Sequence, residues 1–295
     1  MKKILLALLA SAVISPAVAQ TAYSQNRNIY RTRPQQTYAQ PTRSAYQTRE
    51  PAVYKKDTKS KYKLGNPLYR PGEHKGVVTG DVSYTRTPKN NSIGQDAAGT
   101  WDVFPTVSFG LTDKLVAGAS AGYNRKEYKS GANKKAKINA YRTNVGISYQ
   151  LASVEGIDFN TGIAAYYEYY RDGKRVDFPQ KNGHRSGTDL NFQIGKKIQN
   201  FTPSFTIGFL SDFWTTRGYQ TNTTTYINPA LYIDLHEQVG LNLDYTSFVH
   251  GSATYRAVLD FYPQSNAVLG FGVFAVHPTT NTNNYGALAN FKFGF

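Results

Sequence analysis

Residues 141–151 read Tyr-Arg-Thr-Asn-Val-Gly-Ile-Ser-Tyr-Gln-Leu. Tyr141, Thr143, Val145, Ile147, Tyr149 and Leu151 fall on one face of an extended chain. Arg142, Asn144, Gly146, Ser148 and Gln150 fall on the other. Side chains alternate across a strand with period two, so this stretch reads as a strand with one apolar and one polar face.

The same alternation recurs from residue 76 to the end, in stretches of about ten residues closed by turn residues. Twelve such stretches are counted. The connections alternate in length. Short turns fall at 112–114, 152–156, 196–200, 236–238 and 263–266. Longer polar loops fall at 86–99, 124–138, 170–187, 211–225, 246–254 and 277–284. Tight turns at one end and long loops at the other are the pattern of an outer-membrane barrel. A soluble barrel or sandwich would turn its apolar face inward, and periodicity alone does not choose the face. Aromatics near the ends of the apolar faces favour a membrane girdle: Tyr84, Trp101, Phe109, Tyr123, Tyr149 and Tyr169. Pro105, Pro203 and Pro229 stand inside strands and break the ideal ladder.

Working outward to the N-terminus, Lys2 and Lys3 precede the apolar run Ile4–Ile14 and the small-x-small pattern Ala17-Val18-Ala19. These are the three parts of a secretory signal peptide, cleaved after Ala19. The run is about half the length that a transmembrane helix needs. No Cys occurs, so neither a disulfide framework nor a lipoprotein anchor is expected. Mean hydropathy is −0.49, with 23 Tyr and 16 Phe among 295 residues. That composition suits strands with one apolar face rather than membrane helices.

The net charge is +15, of which +9 falls in residues 20–75 and +2 in the signal peptide. Residues 76–295 therefore carry only +4. The segment 20–75 is rich in Gln, Thr, Pro, Arg and Tyr, and burying so little apolar area cannot offset ordering entropy. Tyr recurs there at 23, 30, 38, 46, 54, 62 and 69. An even period near eight would place those rings on one face of an extended chain. The segment reads as a disordered periplasmic extension. As an alternative it is an arm for an anionic partner such as peptidoglycan or lipid phosphate. Nucleic acid is excluded as a partner by the export signal.

The final strand runs from Tyr285 to Phe295 and ends in Phe291, Phe293 and Phe295. It resembles the C-terminal signal of bacterial outer-membrane proteins. That resemblance implies outer-membrane localisation and recognition by the barrel assembly machinery. The fold expected is therefore all-β: a transmembrane antiparallel up-and-down β-barrel of about twelve strands over 76–295, behind the signal peptide 1–19 and the extension 20–75.

If the apolar faces meet lipid, the interior carries Asp81, Asp102, Arg142, Asp158, Glu168, Asp189, Asp234, Asp244, Arg256, Asp260 and Lys292, with Lys197. Charges of both signs in a confined space should pair. Phe104, Tyr166, Tyr170, Tyr232, Tyr262 and Phe274 fall on the same side. Twelve strands lie between filled eight-stranded barrels and open sixteen-stranded porins. A narrow porin-like channel for small solutes is the leading expectation, and a plugged structural or anchoring barrel the alternative. A third class is a rim lipid hydrolase using His250 as base to Ser252, an isolated His-x-Ser spacing followed by Ala253. No enzyme activity, cofactor or metal is expected. The loop from Arg125 to Lys137 holds six bases against Glu127 and reads as a solvated loop, or as a contact for lipopolysaccharide phosphates.

Overall fold

The computed structural model describes residues 61–295 except 92–94, 132, 174–181, 216–222, 250 and 279–282. Twelve strands follow one another: β1 (Gly76–Thr87), β2 (Ala98–Gly110), β3 (Leu115–Tyr128), β4 (Lys137–Val154), β5 (Ile157–Gly173), β6 (Asn182–Lys196), β7 (Phe201–Thr215), β8 (Thr223–His236), β9 (Val239–Phe248), β10 (Ala253–Gln264), β11 (Ala267–His277) and β12 (Asn284–Gly294). Each pairs antiparallel with its sequence neighbours, and β1 pairs with β12 to close the barrel. The seam is paired from Val77 with Gly294 to Arg86 with Tyr285, and two further backbone hydrogen bonds end it, Gly76 N to Phe295 O at 2.7 Å and Phe295 N to Gly76 O at 2.9 Å.

The face question is decided by exposure. Val107, Val145, Ile147, Phe192, Phe205 and Phe271 are exposed on the outside, while Gln150, Asp158, Thr202 and Thr206 are buried inside. An apolar outer surface this extensive far exceeds what a water-soluble monomer shows. It suits a hydrocarbon surround, which accepts a barrel because closure satisfies every backbone group. Rings gather at the long-loop end of this band: Tyr84 on Trp101 at 4.9 Å, Tyr123 on Tyr141 at 5.0 Å, and Tyr245 on Tyr255 at 4.7 Å.

The short turns are tighter than their sequence suggests. The β4–β5 hairpin turns on Glu155 and Gly156 alone, with φ of 50° and 80°. Two positive φ values are the mirror-image turn whose twist matches paired strands. At the other end the strands run further than the alternation predicts, with β5 reaching Gly173 and β6 beginning at Asn182. The reason is physical. Beyond the lipid the outer face meets water, so Arg125, Asn139 and Arg171, side by side across β3, β4 and β5, extend the ladder without an apolar signal.

The prolines leave the register intact. Pairing of β8 with β9 skips two positions at Pro229 and resumes in the same register. Pro229 has no N–H to donate, and Asn228 Nδ2 instead donates to Tyr245 O at 2.9 Å and to Thr246 Oγ1 at 2.8 Å.

One boundary differs from the sequence reading. The described residues begin at Lys61, ahead of Gly76. Residues 61–71, assigned by composition to the periplasmic extension, pack inside the barrel, and the exposed Glu73, His74 and Lys75 lead from them to β1. Tyr62, Leu64, Leu68 and Arg70 are 3%, 5%, 0% and 2% exposed.

Candidate functional site

The interior is a wall of polar side chains, built because every second residue of every strand points inward. Its long-loop half holds a charge ladder. Arg142 on β4, Glu168 on β5 and Arg185 on β6 lie opposite one another in register. Arg142 Nε donates to Glu168 Oε1 at 2.5 Å, and Arg185 Nε donates to Glu168 Oε2. Arg185 Nη1 continues to Asp212 Oδ2 at 3.6 Å, and Tyr166 donates its hydroxyl to Asp212. Nearer the middle, Tyr226 donates to Asp189 at 3.0 Å and Arg256 Nε to Asp244 at 3.0 Å. Lys197 reaches Asp234 at 3.2 Å.

Of the charges named from the sequence as interior-facing, Arg142, Asp158, Glu168, Asp189, Asp244 and Asp260 are buried. The structure pairs Arg142 with Glu168, and Arg256 with Asp244. Arg185, Asp212 and Lys126 join them on the inner face and were missed. They lie where strands continue through segments read as loops, so no apolar alternation marked their parity. Among the described inward-facing residues the acids are Asp81, Asp102, Asp158, Glu168, Asp189, Asp212, Asp234, Asp244 and Asp260. The bases are Lys126, Arg142, Arg185, Lys197, Arg256 and Lys292. Large rings share the space: Tyr170 and Tyr232 are 0% exposed, and Tyr232 and Tyr262 bond hydroxyl to hydroxyl at 2.6 Å.

The short-turn mouth is filled by residues 61–71 of the segment 61–75. Asn66 folds this plug locally. Its backbone N–H donates to Lys63 O and its C=O accepts from Tyr69 N, each at 2.9 Å. Its side-chain oxygen accepts from Leu68 N at 2.9 Å, and Pro67 presets the turn. Its side-chain amide then donates to Thr202 on β7 at 3.0 Å. Leu68 lies over Gly195, where a Cβ would stand 2.6 Å from a Leu68 methyl. Gly65 passes so close to β10 that a Cβ there would stand 2.3 Å from the Tyr262 hydroxyl.

Polar contacts tie the plug to the wall. Lys61 meets Asp158 at 3.2 Å and Lys63 meets Asp234 at 3.0 Å. Tyr62 donates its hydroxyl to Asp158. Burial, and then that carboxylate, push the Tyr62 hydroxyl well above the ordinary tyrosine range, so it stays a donor. Arg70 donates to Asn160 Oδ1 at 3.0 Å, Lys114 O at 3.0 Å and Ser148 O at 2.7 Å. Lys292 on β12 reaches Gly65 O at 3.4 Å. About 80 Å³ remains between plug and wall, lined in part by Asp81, Asp244, Arg256 and Lys292. That space has room for several waters, since one water needs about 10–15 Å³.

The hydrolase pair is half visible. Ser252 is 5% exposed, and its carbonyl accepts from Phe248 N at 3.2 Å. His250 lies outside the described residues. No group of three or more metal-ligating side chains occurs among the described residues. Of the Tyr series, Tyr62 and Tyr69 are described. They sit in a chain that turns between them rather than extending.

No family model matches the chain, and no curated protein matches it. Solved structures do match in fold. An outer-membrane channel from Pseudomonas putida F1 aligns at a TM-score of 0.54 and 10% identity, over 76% of this chain and 96% of that one. The β domain of the Bordetella autotransporter BrkA aligns at a TM-score of 0.51 and 14% identity, over 74% of this chain and 98% of that one. The chain thus has the closed antiparallel fold of outer-membrane β-barrels, and the likeness reaches no further than the fold.

Proposed function

We propose that this chain is exported to the bacterial outer membrane and forms a narrow channel for small polar solutes, held shut by its own residues 61–75. One observation carries the reading. The interior is walled by hydrogen-bonding and charged side chains. The segment that closes one mouth is attached up to Arg70 through side chains, those of Arg70, Tyr62 and Asn66 foremost, and main-chain bonds to the wall come only at His74 and Lys75, which bond Gly110 beside β1. Such an attachment can be undone without breaking the barrel, whose seam joins β1 to β12. The plug continues directly from residues 20–60, so any periplasmic partner holding that basic arm, peptidoglycan included, would act on the plug. On the outside, Arg125 and Arg171 beyond the aromatic girdle suit lipopolysaccharide phosphates.

A second reading is a permanently plugged barrel with an anchoring role. The burial of Tyr166, Tyr170 and Tyr232 inside the wall favours it.

Conductance of the refolded protein in planar bilayers, with and without residues 20–75, separates the two. The channel reading expects a nearly silent full chain and steady current after truncation. Silence in both forms would leave the anchoring barrel. Equal current in both would mean that the plug closes nothing.

A further inference from the structure

We infer that the opened channel selects cations, and that residues 61–75 are its tethered counter-ion. The inference rests on the channel reading. Nine acids against six bases face the interior among the described residues, an excess of three negative charges. The plug brings Lys61, Lys63 and Arg70 to the wall, three positive charges that balance it. A confined interior of low dielectric does not tolerate uncompensated charge. Once the plug leaves, mobile cations take its place.

The positions that the plug vacates are built for cations individually. Around the Arg70 guanidinium stand one side-chain oxygen, from Asn160, and two main-chain carbonyls, from Lys114 and Ser148, all within 3.0 Å. These three groups offer only acceptor oxygens to whatever sits between them, which suits an ammonium, a guanidinium or a hydrated metal cation and repels anions. Asp158 loses both Lys61 and Tyr62 on release. Asp234 loses Lys63 and keeps Lys197. Lys292 is the remaining base facing this end, and its contact with Gly65 O also goes. In the long-loop half, Glu168 and Asp212 offset Arg142 and Arg185, and Asp102 on β2 stands against Lys126 on β3, so that half adds no anion-selecting excess. Selectivity is therefore set at the short-turn mouth.

The test uses the full chain carrying Leu68→Asp and Arg70→Asp. These place two acids where the plug now buries a methyl cluster and a cation, and drive it out without altering the wall. In planar bilayers with a potassium chloride gradient, the reversal potential should lie on the potassium side, with a several-fold preference for potassium over chloride. Adding Asp158→Asn and Asp234→Asn to that chain should lower the preference while leaving the current. Chloride preference, or none, would overturn the inference with the channel intact. Selectivity unmoved by the two Asn substitutions would overturn its assignment to the short-turn mouth. No current at all would remove the channel reading itself, a distinct result.

Discussion

Glu168→Gln is expected to cost the barrel about 3–5 kcal/mol of unfolding free energy, the scale for breaking a buried ion pair on one side. Glu168 is 2% exposed and accepts from two guanidiniums, Arg142 at 5% exposure on one flank and Arg185 on the other. The site thus sets two guanidiniums against this one carboxylate before Asp212 is added. Removing the negative charge leaves Arg142 buried without its counter-ion, and solvent cannot reach it. Truncating Arg142 and Glu168 together should cost less than the two single losses summed, because neither charge is then stranded. Urea unfolding of the refolded protein in vesicles checks this. A loss near 1 kcal/mol for Glu168→Gln would mean that water reaches the ladder and that the interior is wetter than described.

Replacing Lys61, Lys63 and Arg70 together by Gln is expected to turn a closed full chain into one that opens repeatedly. The three do not contribute equally. The Lys61 and Lys63 side chains are 31% and 26% exposed, so each ion pair is worth below about 1 kcal/mol after solvent screening. Arg70 is 2% exposed and makes three hydrogen bonds from a charged donor, each worth about 1.5–3 kcal/mol. Arg70→Gln alone should therefore account for most of the openings, and Lys61→Gln with Lys63→Gln for few. The open fraction in single-channel records of the three chains ranks them. The reverse order would place the latch at the mouth rather than in the wall.

The barrel itself was legible because lipid imposes a period. Residues 141–151 alternate since one face meets hydrocarbon and the other a polar interior, and the same holds wherever a strand crosses the apolar band. Legibility ends where the lipid ends. Arg185 and Asp212 sit near the strand ends, beside a register shift at Ser186 and Gly187 that breaks the strict alternation, so their inward parity left no clear trace in hydropathy. The plug was hidden for a different reason. Averaged over 20–75 the composition is that of a chain that cannot pack. Yet Leu64 and Leu68, the only leucines of that stretch, stand beside Pro67 and Pro71 at its end. Both are buried, and neither needs a core of its own because the barrel supplies one. A segment that folds into another element's cavity escapes any test that asks whether it could fold alone.

The central claim, that residues 61–75 close the channel from the short-turn mouth, is tested most directly by returning them in trans. A synthetic peptide of residues 61–75 is added to either side of a bilayer holding the chain without residues 20–75. The account predicts block from the short-turn side only, lost when Arg70 and Leu68 of the peptide are replaced by Asp. Block from the long-loop side, or an unblocked current at saturating peptide on both sides, would contradict it.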